Sequence, residues 1–116
     1  MQKTLPLLTL VDVKAGQPSL HDNTADIDRL KSVVAAALPE QLRGCSLHIP
    51  FACMAKVAAS FRTASFRGCA MLQYEADRLV VVEFFANAPE QLPALALDLG
   101  STHLEASLLD ILTGKT

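Results

Sequence analysis

The fold is decided by residues 66–85, which read FRGCAMLQYEADRLVVVEFF. Residues 66–74 and 79–85 are apolar runs containing β-branched and aromatic side chains, and the polar segment 75–78 separates them. This pattern predicts two strands joined by a turn. The second strand carries so many β-branched and aromatic residues that we expect it to lie centrally in a sheet.

Upstream of this hairpin, strand and helix patterns alternate. Apolar runs at residues 5–13 and 45–49 predict two more strands. Apolar residues at helical spacing predict a first amphipathic helix over about residues 24–38 and a second over about residues 50–63. The order β-α-β-α-β-β predicts an α+β fold, in which a small sheet carries both helices on one face.

Local signals mark the helix starts. Asn23 and Asp26 are spaced as in a capping box, which predicts that they cap the first helix. Pro50 suits the first position of the second helix, because the N–H group that proline lacks would have no hydrogen-bond partner within the helix there.

Residues 87–93 contain two prolines and interrupt the regular pattern, so we expect a domain boundary there. The predicted α+β domain is residues 1–88, and residues 89–116 form a separate segment. In that segment, residues 95–99 and 104–111 predict a second hairpin, which Thr113 and Gly114 close.

Composition excludes several functional classes. The 116 residues have a net charge of −2, with no basic patch and no apolar run of about 20 residues, so neither nucleic acid nor a membrane is expected as a partner. No signal peptide is recognisable, which favours a cytoplasmic location. Cys45, Cys53 and Cys69 are odd in number and lack zinc or iron–sulfur spacing, so we expect reduced, mostly buried thiols.

The sharpest chemical motif is Asp98-Leu99-Gly100-Ser101-Thr102, an acidic strand end followed by a glycine and two hydroxyl residues. Gly100 lets the backbone approach a phosphate closely, and Ser101 and Thr102 offer N–H and O–H donors. Asp98 can hold a magnesium ion directly or through water. An ordinary hairpin turn has the same composition and remains the alternative.

Other polar residues are expected to be structural or solvated rather than catalytic or metal-binding. The acids at the start of the first helix complement its dipole, and basic residues near the end of the second helix do the same there. No histidine has a second ligand at metal-like spacing. These residues are Asp22, Asp26, Asp28, Arg62, Arg67, His21, His48 and His103.

Two segments carry a family resemblance. The motif at residues 98–102, with the second strand at residues 108–114, resembles the first phosphate-binding hairpin of the actin, sugar-kinase and Hsp70 superfamily. Residues 18–30, PSLHDNTADIDRL, resemble the segment that opens the middle domain of ATP-dependent reductive activators of corrinoid proteins. Both segments occur in the order found in that activator family.

The resemblance implies that residues 1–88 are the middle domain and residues 89–116 the linker and first hairpin of a truncated actin-like ATPase domain. The full-length parent would carry an iron–sulfur cluster and Mg-ATP, neither of which is expected in this fragment, and would reduce a corrinoid protein or corrinoid methyltransferase. The fragment would be a non-catalytic connection. Only in the parent would phosphate be bound by Asp98, Gly100, Ser101 and Thr102.

Two alternatives remain. The chain could be a stand-alone module that dimerises through sheet edges, because an unattached hairpin exposes unpaired N–H and C=O groups. The other alternative is a truncated phosphotransferase of the sugar-kinase type. The length of 116 residues argues against it, because that fold needs two large lobes. We also expect the C-terminal hairpin either to fold back on the sheet or to pair with another chain as a homodimer, since two short strands are marginally stable alone.

Overall fold

The computed structural model describes residues 7–113. They form a four-stranded sheet with two helices, followed by a separate two-stranded hairpin. The elements in chain order are β1 (Leu8–Lys14), α1 (Asp26–Ala37), a short 3₁₀ helix (Glu40–Leu42), β2 (Ser46–His48), α2 (Phe51–Thr63), β3 (Arg67–Glu75), β4 (Arg78–Phe85), β5 (Pro93–Leu99) and β6 (Leu104–Asp110).

The strand order in the main sheet is β1-β3-β4-β2. The neighbours β1, β3 and β4 are antiparallel, whereas β2 pairs in parallel with the first residues of β4. Leu8 pairs with Gln73 at one end of the sheet, and Cys69 pairs with Phe85 near the other. The chain therefore enters β1 at one end of the sheet and leaves β4 at the opposite end.

The turn between β3 and β4 is a two-residue loop in which Ala76 and Asp77 both have positive φ, 48° and 64°. This backbone twist matches the right-handed twist of the flanking strands. The Tyr74 hydroxyl donates to the Asp77 carboxylate at 3.0 Å, and Arg78 pairs with Glu75 across the turn at 3.3 Å. The polar segment predicted as a turn is thus held by its own side chains.

One hydrophobic core lies between the sheet and the two helices. Phe61 is at its centre and makes edge-to-face contacts with Phe66 and Phe84, with ring centroids 5.1 and 5.2 Å apart. The buried residues from helices, strands and connecting loops that share this core are Val11, Val13, Leu30, Val34, Leu38, Leu42, Ile49, Val57, Phe61, Phe66, Ala70, Leu72, Leu79, Val81 and Phe84. The predicted α+β fold with both helices on one face is confirmed.

A β-bulge interrupts the regular alternation of side chains along β4. Leu72 pairs with Val81 but Met71 pairs with Glu83, so Val82 is the extra residue. The bulge places both Val81 and Phe84 in the core, although they are three positions apart.

At Gly68 the chain approaches its neighbour closely. A Cβ built on Gly68 would lie 2.3 Å from the Phe85 carbonyl oxygen, and its φ is +151°. The preceding residues Ser65 and Phe66 also have positive φ, 59° and 64°. The passage from α2 into β3 therefore requires a backbone path that most side chains disfavour.

The start of α1 differs from the prediction. The helix begins at Asp26 after Ala25, and no side chain caps it, so the predicted capping box of Asn23 and Asp26 is absent. The Asp26 carboxylate instead binds Arg62 of α2. For β1, residues 5 and 6 of the predicted strand lie outside the described residues, as does Gly114 at the end of the second hairpin.

The β5–β6 hairpin stands apart from this domain. Between Phe85 and residue 113, where the description ends, no residue belongs to the core cluster. The described chain is 63 Å long with a radius of gyration of 16.5 Å, against about 13 Å expected for a compact chain of this length. We expected the hairpin either to fold back on the four-stranded sheet or to pair with another chain. It does not fold back, so pairing with another chain stays a prediction.

Candidate functional site

The motif at residues 98–102 lies at the far tip of the second hairpin. β5 ends at Leu99, β6 begins at Leu104, and the Gly100 N–H donates to the His103 carbonyl oxygen at 2.7 Å. This bond closes a four-residue loop. The sequence motif is therefore a true strand-turn-strand tip, with Asp98 one position before the strand end.

The structure brings the four proposed phosphate-binding residues together, but it leaves all four exposed. Ser101 and Thr102 make no hydrogen bond within residues 7–113, so their hydroxyl and N–H groups are available to a ligand. The Gly100 N–H is already used by His103. A Cβ on Gly100 would meet that same carbonyl oxygen at 3.2 Å, so the glycine also serves the tight turn.

Two carboxylates oppose each other beside this tip. Asp98 pairs directly with Glu105 across the hairpin, which places their side chains on the same face of the ribbon. Glu105 also contacts His103, whose Nε2 lies 3.0 Å from its carboxylate oxygen. The tip thus offers hydroxyl and amide donors next to acidic oxygens, the groups that a magnesium-bound phosphate uses.

The tip fits only a part of a Mg-ATP site. Its donors lie on one exposed ribbon, and nothing else among residues 7–113 encloses them. Within the same range, no three or more His, Cys, Asp and Glu side chains cluster so that they could hold a metal ion. The residues fit one phosphate-contacting turn of a larger site.

The three cysteines differ in burial. Cys69 is buried in the sheet, whereas Cys45 and Cys53 are half-buried. Burial raises the pKa of the Cys69 thiol, and the nearby charge of Asp12 adds to this effect. Cys69 is therefore a poor nucleophile at neutral pH.

A buried arginine that the sequence analysis did not single out holds the loop before α1. The Arg29 guanidinium binds both carboxylate oxygens of Asp22, at 2.7 and 3.0 Å, and also donates to the carbonyl oxygens of Gly16, Asp22 and Thr24. These hydrogen bonds hold the pKa of Asp22 well below its ordinary value. Arg29 is only 6% exposed, so this loop is tied to the body of the domain.

A second arginine links the two helices. Arg62, near the end of α2, donates two hydrogen bonds of 2.8 Å to Asp26 at the start of α1. Its guanidinium also lies 5.2 Å from the centre of the Phe66 ring. Asp22 and Asp26 were expected to complement the helix dipole. Each also pairs with an arginine, Asp22 with Arg29 and Asp26 with Arg62, and only the tertiary structure reveals this additional role.

Comparison with known proteins identifies the domain that carries these arginines. Residues 3–88 match the family model described as "RACo linker region". This match covers well over half of the 116 residues. The chain belongs to the RACo linker family. The matched residues hold the four-stranded sheet and both helices, and the β5–β6 hairpin follows them.

A solved structure shares the fold of this RACo linker chain. It is described as "Reductive activator for corrinoid,iron-sulfur protein", with a TM-score of 0.72 and 19% sequence identity over 98% of this chain. The RACo linker chain spans 18% of the length of that protein. Among curated proteins, none matches the sequence. No helix among residues 7–113 is long and apolar enough to cross a membrane.

Proposed function

We propose that this chain is the non-catalytic connecting part of a cytoplasmic, ATP-dependent reductive activator of corrinoid proteins. In the full-length parent it joins an iron–sulfur domain to an actin-like ATPase domain. One observation carries the proposal: a turn of the Asp-x-Gly-Ser-Thr type lies at the tip of a hairpin directly downstream of a RACo linker domain. The solved activator with the same fold supports it.

The linker domain contributes rigidity rather than chemistry. Arg29 fixes the loop between β1 and α1 through Asp22, and Arg62 joins the two helices through Asp26. The core around Phe61 fills the space between helices and sheet. A domain held in this way keeps its two chain ends in a fixed geometry, as a connection between two moving partners requires.

The hairpin contributes the first phosphate turn of the ATPase domain. Asp98 holds magnesium directly or through water, Gly100 allows the phosphate to approach, and the N–H and O–H groups of Ser101 and Thr102 donate to phosphate oxygens. Mg-ATP, when bound, supplies the free energy for an uphill electron transfer. The remaining donors belong to parts of the parent that lie outside this chain.

The partners and the redox cofactor follow from the same proposal. The electron acceptor of the parent is a corrinoid protein or a corrinoid methyltransferase, and the electron comes from an iron–sulfur cluster in another domain. Cys45, Cys53 and Cys69 form no cluster of three or more potential ligands with each other or with acids and histidines in residues 7–113.

The decisive experiment measures ATP-dependent reduction of a cob(II)alamin protein by the full-length parent. Asp98→Ala should lower the rate by about 100-fold, the usual scale for the loss of one charge-stabilising group. Ser107→Ala is the matched control, because Ser107 lies on the same face of the hairpin but further from the tip. Wild-type rates in Asp98→Ala would refute the role of this turn.

A further inference from the structure

Two adjoining clefts lie in the linker domain where the chain leaves β1. Their volumes are about 330 and 350 Å³, and Lys14 lines both of them. The first cleft borders α1 and includes Arg29, and the second borders the start of β3 and includes Gln17, Ser65 and Arg67. We call the two together the Lys14 cleft.

Two cations without a counter-charge line this cleft. Lys14 and Arg67 are directly opposite in the pairing of β1 with β3, so their side chains lie on the same face of the sheet. Both residues are exposed, and neither forms an ion pair with a carboxylate among residues 7–113. This includes Asp12, which lies two positions before Lys14 and opposite Cys69. Directly opposed like charges destabilise a strand pair, so an anion bound between them would relieve the repulsion.

A buried arginine at the other side of the cleft points to the same kind of ligand. Arg29 lines the first cleft and is only 6% exposed. Its Nε is buried and has no hydrogen-bond partner among residues 7–113. An unpaired buried donor is unfavourable and calls for an acceptor such as a bound ion or water.

The net charge of the cleft is positive. Asp22 is the one carboxylate among residues 7–113 that lines it, and both of its oxygens already accept hydrogen bonds from Arg29. The charges of these two residues cancel, so Lys14 and Arg67 leave a net charge of about +2.

Neutral donors without partners complete the lining. The hydroxyl group of Ser65 and the side-chain amide of Gln17 make no hydrogen bond within residues 7–113. The backbone at Gly16 is open, since no atom lies within 4 Å of its Cβ position. A ligand in the cleft can therefore receive hydrogen bonds as well as charge.

We propose that the Lys14 cleft binds a phosphate dianion, either free phosphate or the phosphate group of an ester. Two unneutralised cations match the charge of a phosphate, whereas a single carboxylate would balance only one of them. The Arg67 guanidinium can donate to two phosphate oxygens at once, and Lys14 supplies a second charge. The inference does not depend on the proposed activator function or on the turn at residues 98–102.

The test is an NMR titration of the 15N-labelled 116-residue chain with sodium phosphate at about pH 7.5, where phosphate is mostly a dianion. Concentrations from about 0.1 to 20 mM suit exposed cations, whose ion pairs are weak, and ionic strength is held constant. Saturable shifts are expected in the amides of residues 14–17 and 65–67. Arg67→Gln and Lys14→Gln should each raise the dissociation constant about 5-fold. Arg78→Gln is the matched control, because it removes the same charge at the opposite end of the sheet, and it should bind phosphate like the wild type.

Parallel titrations with glycerol 3-phosphate and with acetate identify the ligand. Tighter binding of glycerol 3-phosphate than of inorganic phosphate would assign the cleft to phosphate esters, and the reverse order would assign it to the free ion. Acetate should bind at least about 5-fold more weakly than either, because it carries one charge. Amide signals of residues outside the cleft verify that each variant keeps its fold.

Three results would overturn the proposal. The first is an absence of saturable shifts at residues 14–17 and 65–67 up to the highest phosphate concentration. The second is equal weakening by Arg78→Gln, which would reduce the effect to the overall charge of the chain. The third is acetate binding as tight as phosphate binding, which would remove the match between two cations and a dianion.

Discussion

Replacing Gly68 with alanine is the sharpest test of the packing described above. The added methyl group would lie 2.3 Å from the carbonyl oxygen of Phe85 and 3.0 Å from the nearest ring atom of Phe84. Both neighbours belong to β4, and a backbone oxygen in a paired strand cannot turn away as a side chain can. The φ of +151° adds strain for any residue with a Cβ.

The expected cost combines these two effects. Overpacking costs about 1–3 kcal/mol and a disfavoured backbone conformation about 1–3 kcal/mol, so Gly68→Ala should lower the free energy of unfolding by about 2–6 kcal/mol. Gly16→Ala is the matched control, because no atom lies within 4 Å of its Cβ position, and it should change stability by about 0.5 kcal/mol or less. Gly44→Ala has open space but a φ of +89°, and should cost about 1–2 kcal/mol.

Urea unfolding at pH 7 measures these differences. Tyr74 is the only tyrosine and the chain has no tryptophan, so tyrosine fluorescence reports on the linker domain alone. With a slope of about 2 kcal/mol per molar urea, Gly68→Ala should move the midpoint down by about 1–3 M. A Gly68→Ala midpoint within about 0.3 M of the Gly16→Ala midpoint would refute the argument, given that slope.

Three further predictions follow from the described contacts. The Cys69 thiol should react with a disulfide reagent more than about 10-fold more slowly than Cys45 and Cys53 in the folded chain, and equally fast in urea. Arg29 holds the pKa of Asp22 below its ordinary 3.8 in the folded state. The ion pair between them therefore stabilises the fold above about pH 4, and its contribution to the free energy of unfolding is lost as the pH falls below that value. Asp22→Asn should flatten this part of the pH–stability curve. Calorimetry with Mg-ATP should show no binding at micromolar concentrations, because the proposed phosphate turn is the exposed tip of one hairpin; a micromolar affinity would contradict that reasoning.

Much of the fold could be predicted because its signals are local. The apolar spacing in residues 51–63 gave the second helix within one residue of its observed start, and the strand pattern at residues 66–85 gave the central hairpin. These patterns depend on neighbours three or four positions away in a helix, or two in a strand. The chain therefore carries them in a form that can be recognised before folding.

The remaining features depend on residues far apart in the chain. Arg62 and Asp26 are 36 positions apart and Arg29 and Asp22 are seven apart, so the position of both acids near the helix start suggested only that they complement its dipole. The bulge at Val82 also depends on distant residues, because it brings both Val81 and Phe84 into the core that the helices and the other strands complete. Strand order is not local either, since the parallel pairing of β2 at the sheet edge is absent from any periodic pattern.

The hairpin shows the same division. The motif at residues 98–102 predicted a turn of the right composition, and it is a turn with a closing hydrogen bond from Gly100 to His103. In the sequence, these two strands are recognisable only as apolar runs. Five of the six leucines in β5 and β6, all but Leu109, occupy one face of the hairpin. This arrangement depends on the register of β5 against β6, and the register is set by the length of the loop between them.

The path of the chain through the sheet has a mechanical consequence. Because β1 and β4 run in the same direction with β3 between them, and the chain enters at one end and leaves at the other, a pull on the two ends displaces these strands along their length. All the ladder hydrogen bonds then carry the load together, whereas a pull across the strands would break them one at a time. A domain with this strand order resists a pull on its two ends without unzipping.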